Sequence, residues 1–251
     1  MSKVHLLDET RPGLLSAQRS AKGDAYSRIR NAIIFCEIAP GEPINERELA
    51  ARFQISRTPL REILVKLAHQ KLIVLKPNRS AFIAPVDYGT ARAIYEVRLP
   101  LERTTAALAA DRASSADVEG LLHQIDKLEQ DRKRADVAAF IDSDRDFHAQ
   151  LARVAANPLL AELLEDLHNS NLRFWYHNRH TMYDGILDVD NLARIARAVR
   201  AGNSRVAADA MADHIMAYVE ATERFYRRSI ETVDAALRHR ASDGTRKRQS
   251  A

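Results

Sequence analysis

A chain of 251 residues, 46% of them hydrophobic, has room for two domains of about 100 to 150 residues, each with its own core. One cysteine, Cys36, excludes an intrachain disulfide framework, and the lack of any apolar run of about 18 residues excludes a membrane-spanning helix. The first twenty residues lack the apolar stretch of a secretory signal, so a soluble, cytoplasmic protein with no membrane partner is expected.

Only 8 Gly and 8 Pro, set among abundant Ala, Leu, Arg and Glu, predict a mainly α-helical chain. The net charge of +4 conceals a segregation. Residues 1–87 carry 14 Lys and Arg against 9 Asp and Glu (+5), residues 88–223 carry 16 against 22 (−6), and residues 224–251 carry 8 against 3 (+5). A basic front ahead of an acidic middle points to two domains, the first facing a polyanion.

In chain order, residues 1–19 show no sustained period and read as a flexible arm. Ile29, Ile33 and Ile34 recur at helical spacing, predicting a helix over 25–36 that APGEPI (39–44) ends. Asn45 is a candidate N-cap for a short helix over 46–53, with Leu49, Ala50 and Phe53 inward. A third helix is predicted from Ser56 to about Gln70, with Leu60, Ile63, Leu64 and Leu67 inward. Pro59 is tolerated in its first turn, where the N–H groups have no intrahelical acceptor. LIVL (72–75) and AFIA (81–84) flank KPNRS as a β-hairpin, so residues 20–87 have the outline of a winged helix-turn-helix. After PVDYGT (85–90), helices are expected over 88–111, kinked at Pro100, and over 116–134, 136–156, 158–182, 189–201 and 203–239. The polar, basic end of residues 226–251 is expected to finish the last helix and then run on as a disordered tail.

ISRTPLREIL (55–64) has a polar, basic front and an apolar back. A helix that enters the DNA major groove by its N-terminal end needs that order, because its first turn meets the groove while its later turns pack on the domain. Arg57 and Arg61, four apart, share a face and can each pair with guanine O6 and N7 or clamp a phosphate. Ser56 and Thr58 can cap the helix or bond phosphates. Arg47, in the first turn of the preceding helix, can reach the groove's rim, and Arg79, at the hairpin tip, suits the minor groove or a phosphate. The partner is therefore read as double-stranded DNA.

The stretch AIIFCEIAPGEPINERELAARFQISRTPLREILVKLAHQKLIVLKPNRSAFIAPV resembles, along its length, the winged-helix domain of the GntR family of bacterial transcription regulators. The resemblance implies operator contact by Arg47, Arg57, Thr58, Arg61 and the wing tip. The chain departs from the family at Cys36, Gln54 and Ser80, where glycine is usual, which implies strain if those backbones keep φ > 0. The helical remainder, with IYEVRLPLERTTAALAADRA at 94–113, resembles the all-α FCD effector domain of the FadR-like branch over about residues 88–225. That implies a helical bundle that forms a homodimer and holds a small carboxylate effector, often beside a metal ion.

Within DSDRDFH, Asp144 and His148 lie four apart and point the same way on a helix, as two ligands of one divalent metal do. His214 lies on the last long helix, and these three match three of the family's four metal positions. The fourth is Leu192, which cannot ligate. Water or effector could complete a three-ligand site, His168, His177 or His180 could donate instead, or the pocket has lost its metal. The donor types suit a divalent ion of the zinc or nickel kind. Arg98 is the candidate for an effector carboxylate, with an i,i+4 salt bridge to Glu102 as its competing role. RFWYH (173–177) could wall the pocket or serve as core. The leading expectation is a ligand-responsive, dimeric regulator on a palindromic operator, not an enzyme. A metal-dependent hydrolase using Asp144, His148 and His214, and a helical scaffold without ligand, are the alternatives.

Overall fold

The computed structural model describes residues 25–76, 81–178 and 188–249. The chain divides into two compact units, Met1–Pro85 and Val86–Ala251. Among the described residues, no helix is long and apolar enough to cross a membrane.

The first unit is built from α1 (25–34), α2 (Glu46–Phe53), α3 (Arg57–His69) and the strands β1 (Ile73–Val74) and β2 (Phe82–Ile83). Their apolar faces make one core of Ile29, Ile33, Leu49, Phe53, Leu60, Ile63, Leu64, Leu67 and Ile83. Asn45 caps α2, its side chain accepting from the N–H groups of Arg47 and Glu48. Gln54 closes α2 in the left-handed region at φ 56°, and Cys36 turns the chain after α1 at φ 55°. The strained glycine-type positions expected from the sequence are thus real at both residues, while Ser80 lies outside the described residues.

The strands pair antiparallel, Ile73 opposite Ile83 and Val74 opposite Phe82. The segment broken by Pro40 and Pro43 is not idle. Its backbone runs along the free edge of β2, with Ile44 N–H donating to Ala81 O at 2.8 Å and Ile83 N–H donating to Glu42 O at 2.9 Å. Three helices and this small sheet make a winged helix-turn-helix.

The second unit is entirely helical among its described residues: α4 (Tyr88–Arg112), α5 (Ser115–Arg134), α6 (Val137–Val154), α7 (Pro158–Asn178), α8 (Val189–Arg200) and α9 (Ser204–Gln249). Polar caps set the starts. Asp87 accepts from Thr90 N–H at 2.8 Å, Ser114 and Asp117 form a reciprocal capping box, and Asp136 and Asp188 cap α6 and α8. α4 continues through Pro100 and is the hub, packing against α6, α7, α8 and, most extensively, α9. Phe140, Phe147, Leu151, Leu192, Ile195 and Met211 are buried in the bundle.

One expectation is corrected. The helix expected to stop near residue 239 continues to Gln249, through the segment expected to be a disordered tail. That segment contains a single glycine, Gly244, and no proline, and its Ala and Arg side chains favour helix, so nothing in it terminates α9. For α7, residues 179–182 lie outside the described residues.

Candidate functional site

Arg47, Ser56, Arg57, Thr58 and Arg61 are all exposed at the front ends of α2 and α3. Arg79 lies outside the described residues. Ser56 holds the N-cap position of α3 by its backbone, at φ −78° and ψ 162°, but its hydroxyl makes no capping bond. The side-chain cap considered in the sequence is therefore absent at Ser56, at a helix start that carries the exposed Arg57 and Arg61. Such a helix start favours an anion, because unpaired N–H groups and the helix dipole both point there. Arg61 is not wholly loose, since its Nε donates to Glu46 Oε2 at 2.8 Å, which ties α3 to α2.

In the helical unit, four helices bring their polar side chains to one buried point. α6 supplies Asp144 and His148, α9 supplies His214 and Tyr218, α4 supplies Arg98 and Glu102, and α7 supplies His168. His148 Nε2 lies 3.2 Å from His214 Nε2. Asp144 Oδ1 lies 3.9 Å from the first and 3.6 Å from the second. The Tyr218 hydroxyl donates to the same oxygen at 3.3 Å.

The outer nitrogens fix the tautomers. His148 Nδ1 meets Glu102 Oε2 at 2.7 Å, and His214 Nδ1 meets Asp188 Oδ2 at 3.3 Å. A carboxylate only accepts, so each Nδ1 carries a proton, and in the neutral imidazole each Nε2 then presents a lone pair inward. Two facing lone pairs 3.2 Å apart repel unless a proton or a cation sits between them. Two nitrogens bound to one zinc, each at roughly 2.0 to 2.1 Å, stand about 3.3 Å apart when tetrahedral. The donor set therefore fits a divalent cation, including the carboxylate behind each imidazole that metal sites use to orient their ligands.

The charges around this point are mutually compensated. Burial would raise the Glu102 carboxyl, but His148 and Arg98 beside it hold it well below the usual range. Burial would push His148 down, and the Glu102 and Asp144 carboxylates overcome that and raise it. His168 is lowered to about 4, by burial first and then by the Arg98 charge. Burial, followed by the charge of Asp144, takes the Tyr218 hydroxyl well above its ordinary value.

Arg98 donates from Nε at 3.0 Å and from Nη2 at 2.6 Å to Glu102 Oε1, so the i,i+4 salt bridge weighed in the sequence exists and is buried. Arg98 also lines a small cavity, about 260 Å³ with its opening to solvent included, together with Asp144, His168, Asn171, His214 and Tyr218. Asn171 Oδ1 is buried there without a hydrogen-bond partner. Of the aromatic cluster at 173–177, Trp175 lines this cavity and donates from Nε1 to Tyr95 Oη at 2.8 Å. Phe174 packs edge-on against Phe225, and Tyr176 Oη donates to Ala138 O, so these two are core.

Leu192 is fully buried on α8. Of the three histidines considered as its replacement, His168 lies at the cluster, His177 is exposed, and His180 lies outside the described residues. The sequence reading missed the bond of Glu102 to His148, the support of His214 by Asp188, and the contact of Tyr218 with Asp144. Only Asp188 carried a local signal, as an N-cap four residues before Leu192. Among the described residues, the clusters able to hold a metal ion are Asp144, His148 and His214, and, overlapping them, Glu102, His148 and His168.

A winged helix-turn-helix joined to an all-helical unit with a buried polar cavity defines a class of DNA-associated regulators, and comparison with known proteins agrees. The gntR family of bacterial regulatory proteins matches residues 21–83, and the FCD domain matches residues 93–217. The HTH-type transcriptional repressor RspR of Escherichia coli K12 is 32% identical over 145 residues, which cover 57% of this chain and 62% of that protein. An HTH-type transcriptional regulator from the TAR-I ttuE-ttuC' intergenic region of Agrobacterium vitis is 31% identical over 135 residues, covering 53% of this chain and 79% of that one. E. coli McbR/YncC shares the fold, with a TM-score of 0.74 at 19% identity, over 82% of this chain and 98% of that chain.

The chain belongs to the gntR family of bacterial regulatory proteins and carries an FCD domain. The match to RspR spans less than two thirds of that relative's length. Membership in a family of regulators sets aside the hydrolase alternative for Asp144, His148 and His214.

Proposed function

We propose that the chain is a ligand-responsive bacterial transcription regulator that binds a palindromic operator as a homodimer and answers to a small carboxylate metabolite. In this reading Arg57 and Arg61 read base edges, while Ser56, Thr58, Arg47 and Arg79 hold the DNA backbone. The exposed, uncapped and basic start of α3 supports it. Two heads on one two-fold operator give affinity that one small head lacks, which is the reason to expect a dimer. DNA as partner implies a cytoplasmic location.

The observation that carries the effector reading is the convergence of Arg98, Asp144 and His214 on one cavity. Asp144, His148 and His214 would hold a divalent cation of the zinc or nickel kind, which would supply a positive anchor for a carboxylate. Arg98, steadied by Glu102, would present its remaining guanidinium edge to that group, and Asn171 Oδ1 would accept from a donor on the ligand. The test is selection of bound fragments from the source genome, followed by gel shift on the selected operator with small carboxylates, before and after chelation. Operator affinity that changes with a carboxylate and loses that response on chelation is expected. Failure to select any sequence, or no response to any carboxylate, overturns the reading.

A further inference from the structure

The environment of His168 repeats that of His148 and His214. Each of the three imidazoles is buried, each turns Nδ1 toward an outer carboxylate, and each turns Nε2 toward Asp144. For His148 the two distances are 2.7 Å to Glu102 and 3.9 Å to Asp144. For His214 they are 3.3 Å to Asp188 and 3.6 Å to Asp144. For His168 they are 3.9 Å to Glu102 Oε1 and 4.0 Å to Asp144 Oδ2.

The His168 ring lies 4.8 Å from that of His148, centroid to centroid, and it borders the cavity that Asp144 and His214 also line. Glu102 is therefore shared: Oε2 orients His148, while Oε1 faces His168 and receives Arg98. The two His168 contacts are longer than hydrogen bonds, but they give the ring the same two-ended orientation as its two neighbours, and His168 groups with Glu102 and His148 as a set of donors close enough for one ion. Outer carboxylates behind each imidazole are the usual means of holding ligands in register.

Resting on the cation site proposed above, we infer that His168 is a ligand of the same ion, so that the complete set is Asp144, His148, His168 and His214. The histidine comes from α7, and Leu192 on α8 is free to be an ordinary core residue. α8 still contributes, through Asp188 behind His214. The ligands thereby come from three helices, α6, α7 and α9, and α7, which also carries Asn171 and Trp175 of the cavity wall, becomes tied to the ion.

The experiment uses the full-length protein, stripped of metal and reloaded with zinc or cobalt(II). In the cobalt-loaded wild type, exchangeable imidazole N–H signals shifted by the metal report the number of bound histidines; three are expected, and two overturn the inference. His168→Asn should weaken zinc at least about tenfold in competition with a chromophoric chelator. Adding Leu192→His to that variant should restore binding, which an unfolded protein could not do. Zinc affinity unchanged by His168→Asn, while His214→Asn lowers it, overturns the inference and leaves the three-ligand site standing. A wild type that takes up no ion overturns both this inference and the cation in the proposed function.

Discussion

His148 and His214 bring their Nε2 atoms to 3.2 Å while turning their Nδ1 atoms to different carboxylates, Glu102 at 2.7 Å and Asp188 at 3.3 Å. The pair is thus aimed from behind by two other helices. Asp188 also caps α8, accepting from Asn191 N–H, so a variant must separate the two roles. Asp188→Ser keeps a capping oxygen but withdraws the carboxylate from His214. It should weaken zinc by about 10- to 100-fold in a chelator competition. Unchanged affinity would show that His214 is held by packing alone.

Glu102 sits between Arg98 and His148 with nothing exposed, and its loss would strand the Arg98 charge in the bundle. Glu102→Ala should lower stability by about 3 to 5 kcal/mol in urea denaturation. Adding Arg98→Met should recover most of that loss, because the cost belongs to the uncompensated cation and not to the missing carboxylate. If the double variant is no more stable than the single one, the pair is not what Glu102 contributes.

Gln54 and Cys36 occupy the left-handed region, where a Cβ crowds the backbone and glycine does not. Gln54→Gly and Cys36→Gly should each raise unfolding free energy by up to about 1 kcal/mol, offset in part by the freer unfolded chain. Gln54→Val should do the reverse. Thermal or urea melts decide the order, and a glycine variant less stable than the parent would refute the strain.

Arg57→Ala and Arg61→Ala should each cost about 1 to 3 kcal/mol of operator binding, read as the gel-shift midpoint at fixed salt. Glu46→Gln releases Arg61 from its exposed ion pair and removes a negative charge near the proposed DNA path. It should change fold stability by less than about 1 kcal/mol and tighten non-specific DNA binding. Operator affinity unmoved by both arginine variants would remove α3 from the DNA interface.

Much of this protein was legible along the chain because its helices announce themselves locally. The apolar spacing of Leu60, Ile63, Leu64 and Leu67, the cap Asn45, and the breaks after Arg112 and Arg200 all act over a few residues. α9 was misjudged because a polar, basic sequence does not by itself end a helix; only its single Gly244 opposed continuation. Asp144 and His148 could be paired from their spacing, since four residues on a helix share a face.

The sequence alone determined the two-part architecture, the polar front of α3 and the ligand-type pair on α6. It could not tell that His168 lies at the cluster while His177 is exposed, nor that Arg98 pairs with Glu102. Those depended on which faces of α4, α6, α7 and α9 meet, and the tertiary structure decided them. Glu102 and His148 are 46 residues apart in the chain and 2.7 Å apart in space. Periodicity states which side chains a helix presents together; only the packing of one helix on another states what they are presented to.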